Sequence, residues 1–398
     1  MAGLLAVEEA QRRLIALAQR LPEETLSIQM ACGRYLANDI VAKRDQPAAD
    51  MSAMDGYAVR FADGRGPWTV VGECRAGSPP CPALKTGEAA RIFTGALMPE
   101  GADSVVMQEN IARNGDRISV IAEAPFEQYR HVRHKGGDFN ADAPVLRAGC
   151  LLNPAALGHA VIAGHAMVSV GRLPKIAVIS TGDELVAPGA ETLPHQIHAS
   201  NDVMLSAMLH GFSAETRSLS RIADDMDILC DTLRKAQDCD IIVTIGGASV
   251  GDHDLVGPAF EKLGAKIDFW KIAMQPGKPV MAGILPHDNG HSLILALPGN
   301  PASAFVSAVL FLLPLARYLA GATTYLPRRQ SAMLTSALPA IQQRTKFLRA
   351  RVDETGITPF DSQDSAKLSV LAGSNALLIR PAHSGAAAVG DVVQYIDI

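Results

Sequence analysis

Cysteine is scarce and scattered. The six cysteines, Cys32, Cys74, Cys81, Cys150, Cys230 and Cys239, form no Cys-x-x-Cys pair. That argues against a zinc ribbon or a redox motif, and for reduced thiols in a cytoplasm. Lysine and arginine never gather into a basic block, and the net charge is -5, so no nucleic-acid role is expected. No uninterrupted apolar run reaches the ~18–20 residues of a membrane span. The most apolar stretch, "PASAFVSAVLFLLPLARYLAG", is broken by Pro314 and carries Ser303 and Ser307, so it reads as a buried helix. The start, "MAGLLAVEEAQRRLIALAQRLP", has charges at helical spacing and does not read as a signal peptide. Repeats and low-complexity tracts are missing. His131/His134 and His195/His198 share a spacing of three but lack carboxylate or cysteine company, which leaves them as surface or loop histidines.

What is present is a globular composition, 48% hydrophobic and 19% charged, in 398 residues. That is too long for one ordinary core, so several domains are expected. Residues 1–45 read as helical, with Leu4, Leu5, Val7, Leu14, Ile15 and Leu17 on one broad face. Residues 46–138 are rich in glycine, proline and short apolar runs ("WTVVGE", "AARIFTG", "DSVVMQEN", "RISVIA"), a β-rich module. Residues 139–173 turn helical again at "NPAALGHAVIAG". If that helix packs on the N-terminal one, the β module is an insertion within a helical domain. Residues 174–320 alternate strand and helix, the pattern of a doubly wound, mostly parallel αβ domain. Residues 321–398 return to short strands and predict a small C-terminal β-barrel or sandwich. The fold class is thus multidomain α/β.

In a doubly wound sheet, ligands sit outside the carboxyl ends of the strands. Three loops leave such ends: "STGDELVAPG", "GGASVGDHD" and "LPGNPASA". Their candidate contacts are Thr181, Gly182 and Asp183, then Gly246, Gly247, Ser249 and Gly251, then Pro298, Gly299, Asn300 and Pro301. Small residues let backbone N–H groups point at a phosphate. Two of the loops also carry carboxylates, Asp183 and Glu184 in one, Asp252 and Asp254 in the other. Acid beside a phosphate cradle is explained by Mg²⁺ bridging the two kinds of anion. "FWKIAMQPGKPVMAG" adds Lys271 and Lys278, with Pro276 and Pro279 stiffening the turn, a combination suited to an oxyanion. "SAMDGYAVR", "TGALMPEGADSVV" and "KGGDFN" place Asp55, Thr94 and Asp138 beside glycines.

Taken together, "SAMDGYA", "TGA-x-x-P-x-GAD-x-VVMQE", "STGDEL-x-x-PG", "GG-x-SVGD-x-D", "MQPGKP" and "LPGNP-x-S" resemble, in order, the molybdopterin molybdenumtransferase family. This is the bacterial MoeA type, to which the E domain of gephyrin also belongs. Weaker similarity runs on through "FLRAR" and "SAKLSVLAGSNALL". The resemblance implies an enzyme that inserts molybdate into adenylylated molybdopterin with Mg²⁺ and releases AMP. It also implies a homodimer whose cleft joins the αβ domain of one subunit to the β module of the other. Carried over, Asp55, Asp138, Glu184, Lys271 and Lys278 would be catalytic. Asp224, Asp252 and Asp254 would hold the metal, and Thr94, Pro279, Arg349 and Ser365 would join the loop residues as substrate contacts. Gln275 stands where some relatives carry lysine. The resemblance also implies as partners the adenylyltransferase of the same pathway and recipient molybdoenzymes. Two other readings stay open: an adenylyltransferase, which would resemble only residues 174–320, and a non-enzymatic molybdopterin-binding scaffold.

Overall fold

The structure is a computed structural model, and it describes residues 4–212, 214–247 and 254–398. At its centre lies a six-stranded mixed sheet. The strand order is Glu215–Ile222, Lys175–Thr181, Ile241–Ile245, Gly290–Leu297, Met281–His287, Lys266–Trp270. The first four run parallel, the fifth runs against them, and the sixth, antiparallel to the fifth, returns to their direction. Ile241–Ile245 is buried at every position, as expected of a strand covered on both faces. Val7–Ala16, Asn201–Met208 and the Pro301–Leu319 run contribute to the core on one face. Met226–Lys235 and Val256–Lys262 contribute to the core on the other.

The Pro301–Leu319 run meets the length and apolarity of a membrane span, but 78% of its most apolar window is buried inside the protein. It opens with Pro301 at a first-turn position, where the missing N–H costs nothing. Pro314 does not end it. The backbone widens to a π-helix over Ala308–Leu312 and resumes as α-helix over Leu313–Leu319. Pro314 has no N–H to offer the carbonyl four residues earlier, that of Leu310. Gln11, buried in the N-terminal helix, donates its Nε2–H to that carbonyl at 2.8 Å.

Two sequence expectations need correction. Only Val7–Ala16 of residues 1–45 is α-helical. Glu23–Ser27 is a strand paired antiparallel with Met167–Gly171, because the helix stops at Ala16 and "EETLS" gains a partner edge. The N-terminal helix docks on the central core, held by Arg13 on Asp268 at 2.7 Å, and not on the helix Pro154–Ile162. That second helix belongs to a separate cluster with Ile28, Leu36 and Leu152. Second, Cys74 and Cys81 are joined as a disulfide, their Cα atoms 5.7 Å apart, where reduced thiols were expected. The intervening "RAGSPP" turns the chain back on the end of the strand Trp68–Cys74, a proximity that a spacing of seven does not announce.

The β-rich stretch forms a six-stranded sheet ordered Ser104–Met107, Gly56–Val59, Glu88–Ile92, Trp68–Cys74, Arg117–Val120, Ile111–Asn114. The C-terminal sheet runs Met274–Gln275, Thr345–Asp353, Ala376–Arg380, Val392–Asp397, Gln330–Met333, with Gly356–Pro359 paired to Thr345–Asp353. Its first strand comes from the αβ region: Met274 and Gln275 pair in parallel with Thr345 and Lys346.

Candidate active site

The parallel strands deliver their carboxyl ends to one edge of the central sheet. There a cleft of about 580 Å³ opens, lined among others by Thr181, Glu184, Gly246, Gly247, Asn300 and Ala366. Pro279, Pro298, Gly299 and Pro301 also line it. The loops meet here: a Cβ on Gly299 would stand 3.6 Å from the Gly246 Cα, an ordinary van der Waals contact. Gly182 has φ +142, a backbone that residues with side chains rarely adopt, and a Cβ there would displace the movable Glu184 carboxylate.

The carboxylates divide into groups. Glu184 lies on the cleft wall and is exposed. Asp183 accepts a hydrogen bond from the Asp224 backbone N–H at 3.2 Å, which brings that pair together just beyond Thr181. Asp254 accepts from the Val256 N–H at 3.3 Å, and its carboxylate lies where a Cβ on Gly247 would contact it. Ser249, Gly251 and Asp252 lie outside the described residues. Among the described residues no group of three or more histidine, cysteine or acidic side chains could hold a metal. Mg²⁺ does not demand one, because it commonly uses one or two carboxylates together with water and substrate phosphate. Asp254 and the Asp183–Asp224 pair are chemically suited to that, as hard oxygen donors at the sheet edge.

Lys271 and Lys278 sit on one hairpin-like loop, closed by Lys271 N–H on Val280 O (3.1 Å) and Ile272 N–H on Lys278 O (2.9 Å). Lys271 has φ +76, an uncommon backbone for a long side chain, and its Nζ rests 4.9 Å from the centre of the Trp270 ring. Neither lysine lines the cleft.

Ser365 and Arg349 come from the C-terminal sheet region. The Ser365 hydroxyl accepts from Asn300 Nδ2 at 3.1 Å, and its carbonyl accepts from the Ala302 N–H at 3.0 Å, so this segment is pinned to the cleft. Arg349 is buried and donates to Asp364 O at 3.2 Å. It lines a separate cavity of about 410 Å³ beside Gln275, Lys346 and a second buried arginine, Arg380. Burial lowers the pKa of Arg349, with Asp364 opposing.

Asp55, Thr94 and Asp138 occupy the β module, and none of them lines the cleft. One Asp55 oxygen accepts both the Thr94 N–H and the Thr94 hydroxyl, each at 2.8 Å. The Thr94 backbone bond, then its hydroxyl bond, with Arg91 adding charge, hold the Asp55 carboxyl below the ordinary range against a small desolvation. Asp138 donates its N–H to Gln46 O at 2.9 Å.

Sequence reasoning missed several residues. Ser180, His198, Ser200 and Asn201 line the cleft. The legible signal was "HASNDVML", a Ser-Asn pair opening a helix on the edge that carries the loops. Arg91 is fixed between the rings of Tyr57 (5.2 Å) and Phe93 (4.8 Å), with Nη1–H donated to Gly56 O. Its only sequence signal was proximity to "FTGA".

Family models match along most of the chain: the MoeA N-terminal region (domain I and II) over residues 5–164, a probable molybdopterin binding domain over 177–318, and the MoeA C-terminal region (domain IV) over 331–398. The molybdopterin molybdenumtransferase of Haemophilus influenzae is 33% identical over 403 residues, spanning 98% of each chain. Molybdopterin molybdenumtransferase 2 of Mycobacterium tuberculosis is 34% identical over 409 residues, spanning 99% of each. The crystal structure of the molybdopterin biosynthesis moeA protein from Pyrococcus horikoshii OT3 superimposes over the whole of both chains, with TM-score 0.85 and 28% identity.

Proposed function

The chain belongs to the MoeA family of molybdopterin molybdenumtransferases, and from that premise we propose that it inserts molybdate into adenylylated molybdopterin and releases AMP. The observation that carries this reading is the cleft at the carboxyl edge of the central sheet, built from the three loops that also hold the motifs. Adenylylated molybdopterin and molybdate are its substrates, and the bond broken is the phosphoanhydride to AMP. That bond needs its negative charge neutralised as it opens. Lys271 and Lys278 are the cations nearest in sequence to Pro279, which lines the cleft. Arg349 and Ser365 receive the oxyanion from the C-terminal side. Mg²⁺, when bound, neutralises charge on the anhydride oxygens. Asp254, with Asp224 and Asp252, would hold it, and Glu184 faces the reacting end of the substrate.

The remaining acids, Asp55 and Asp138 with Thr94, come in this reading from a second copy of the chain in a homodimer. The domains are then 1–45 with 139–173, 46–138, 174–320 as a doubly wound unit, and 321–398 as a barrel, in a cytoplasmic enzyme. The adenylyltransferase of the pathway and recipient molybdoenzymes would be its neighbours.

The test is AMP release from adenylylated molybdopterin with Mg²⁺ across a molybdate series. Molybdate-dependent release is expected, and Asp254→Asn is expected to weaken its Mg²⁺ dependence. Tight binding without AMP release would refute the transferase reading in favour of a scaffold. Consumption of ATP with pyrophosphate release would favour an adenylyltransferase.

A further inference from the structure

We infer that Cys74 and Cys81 form a reversible thiol–disulfide site, opened by a dithiol reductant, whose oxidation state sets the order of the Asp55–Thr94 pair. The inference goes beyond the proposed function, and only its bearing on catalysis rests on that reading. The link spans a sequence separation of seven. Residues 75–80 between its ends are all exposed, as are Pro82 and Ala83 beyond it. Their hydrogen bonds are local: Ser78 N–H donates to Arg75 O at 3.2 Å, and Arg75 Nε donates to Glu73 next to Cys74. The next anchor is the buried Leu84, whose N–H donates to Glu100 O at 2.8 Å. Between Arg75 and Leu84, among the described residues, the sulfur link is thus the one bonded tie of the segment to the sheet beneath it.

That tie stands beside the candidate acid. Cys74 pairs in register with Ile92, and its carbonyl accepts the Phe93 N–H at 3.1 Å. Phe93 precedes Thr94, which makes both bonds to one Asp55 oxygen. Ala76 flanks the same turn, since a Cβ on Gly95 would stand 3.7 Å from its Cβ. Cys74, Ile92 and Ala96 share one small apolar cluster, with Cys81 packed against it. Cys74 is 3% exposed and Cys81 only partly buried, so attack falls on Cys81. A thiolate of the dithiol attacks Cys81 Sγ, the S–S bond breaks, and Cys74 leaves as a thiolate that takes a proton. The reductant's second thiolate then attacks its own sulfur in the mixed disulfide and releases Cys81, which is protonated in turn. Two electrons pass to the protein, and the dithiol becomes a cyclic disulfide. The Cys74 thiol so formed suits its apolar cluster, because a free cysteine packs as a small hydrophobe.

The experiment treats the full, folded chain with dithiothreitol. Differential alkylation counts the thiols, circular dichroism watches the fold, and hydrogen exchange reads the Phe93 and Thr94 amides. Cys74 and Cys81 are expected to become alkylatable while the circular dichroism holds. Exchange at the two amides should then quicken by about tenfold, and slow again when oxidised glutathione restores the link. Cys81→Ser should exchange fast without reductant and ignore it. Cys32→Ser, which removes an exposed thiol outside the link, should behave as wild type. If Cys81→Ser does not fold, the reduced wild type carries the test. Reduction that comes only as the circular dichroism is lost overturns the inference, because the link is then purely structural. Native reduction that leaves exchange at Phe93 and Thr94 unchanged overturns it as well. None of these readouts uses substrate, so a failure of AMP release bears on the transferase reading alone.

Discussion

Gln11 joins the first helix of the chain to a carbonyl about three hundred residues away, and its removal gives a sharp test of how the Pro314 helix is satisfied. Gln11→Leu keeps the apolar bulk of a buried side chain but leaves Leu310 O without the 2.8 Å bond. An unsatisfied buried acceptor costs about 1–3 kcal/mol. Pro314→Ala restores an N–H four residues beyond Leu310, which can take over the same carbonyl. In the Pro314→Ala background, Gln11→Leu should therefore cost less than about 1 kcal/mol. The coupling is read as a double-mutant cycle. Urea unfolding followed by helical circular dichroism reports mainly on the helices around the central sheet, and the single variant should lower its midpoint by about 0.3–1 M. If the two substitutions are additive within error, Gln11 does not stand in for the proline's missing donor and the reasoning fails.

Thr94→Val removes one of the two bonds that depress the Asp55 pKa and should raise it towards the ordinary aspartate value. A depressed folded pKa adds stability above the unfolded pKa and loses it as pH falls through the folded one, so the variant has less of this stability to lose and finishes losing it at a higher pH. Carboxyl NMR titration checks this, and an unmoved Asp55 would refute it. Thiol titration of the unfolded, unreduced protein should find four free cysteines, not six. In the native state Cys32 is exposed and should alkylate first. Burial, with Asp238 adding, pushes the Cys239 thiol up to about 11, and it should alkylate last.

Where periodicity was strong, the sequence told the fold. "CDIIVTIGG", "SLILALPGN" and "DMDILCDTLRKAQD" became the strands and helix their patterns require, since each is a continuous apolar run or a clear helical face. The helical reading of residues 23–45 failed because "EETLS" is too short to show a period and gains its strand from a partner about 140 residues away. The cleft-lining residues carried on glycine and proline loops were legible, since those loops need particular backbones. Ser180 and Asn201 were not, because their place on the cleft wall exists only once the strand and the helix that carry them are packed. The Cys74–Cys81 link was hidden for the same reason.

The two-residue pairing of Met274 and Gln275 with Thr345 and Lys346 makes the lysine loop common property of two sheets. Anyone who excises the central unit as a minimal pterin binder would cut that seam. The loop would lose its fixed abutment, and the free edge beside Gln275 would be open to pairing with a stranger. A working miniature of this protein therefore has to carry the C-terminal strands along, even where they contribute nothing to the cleft itself.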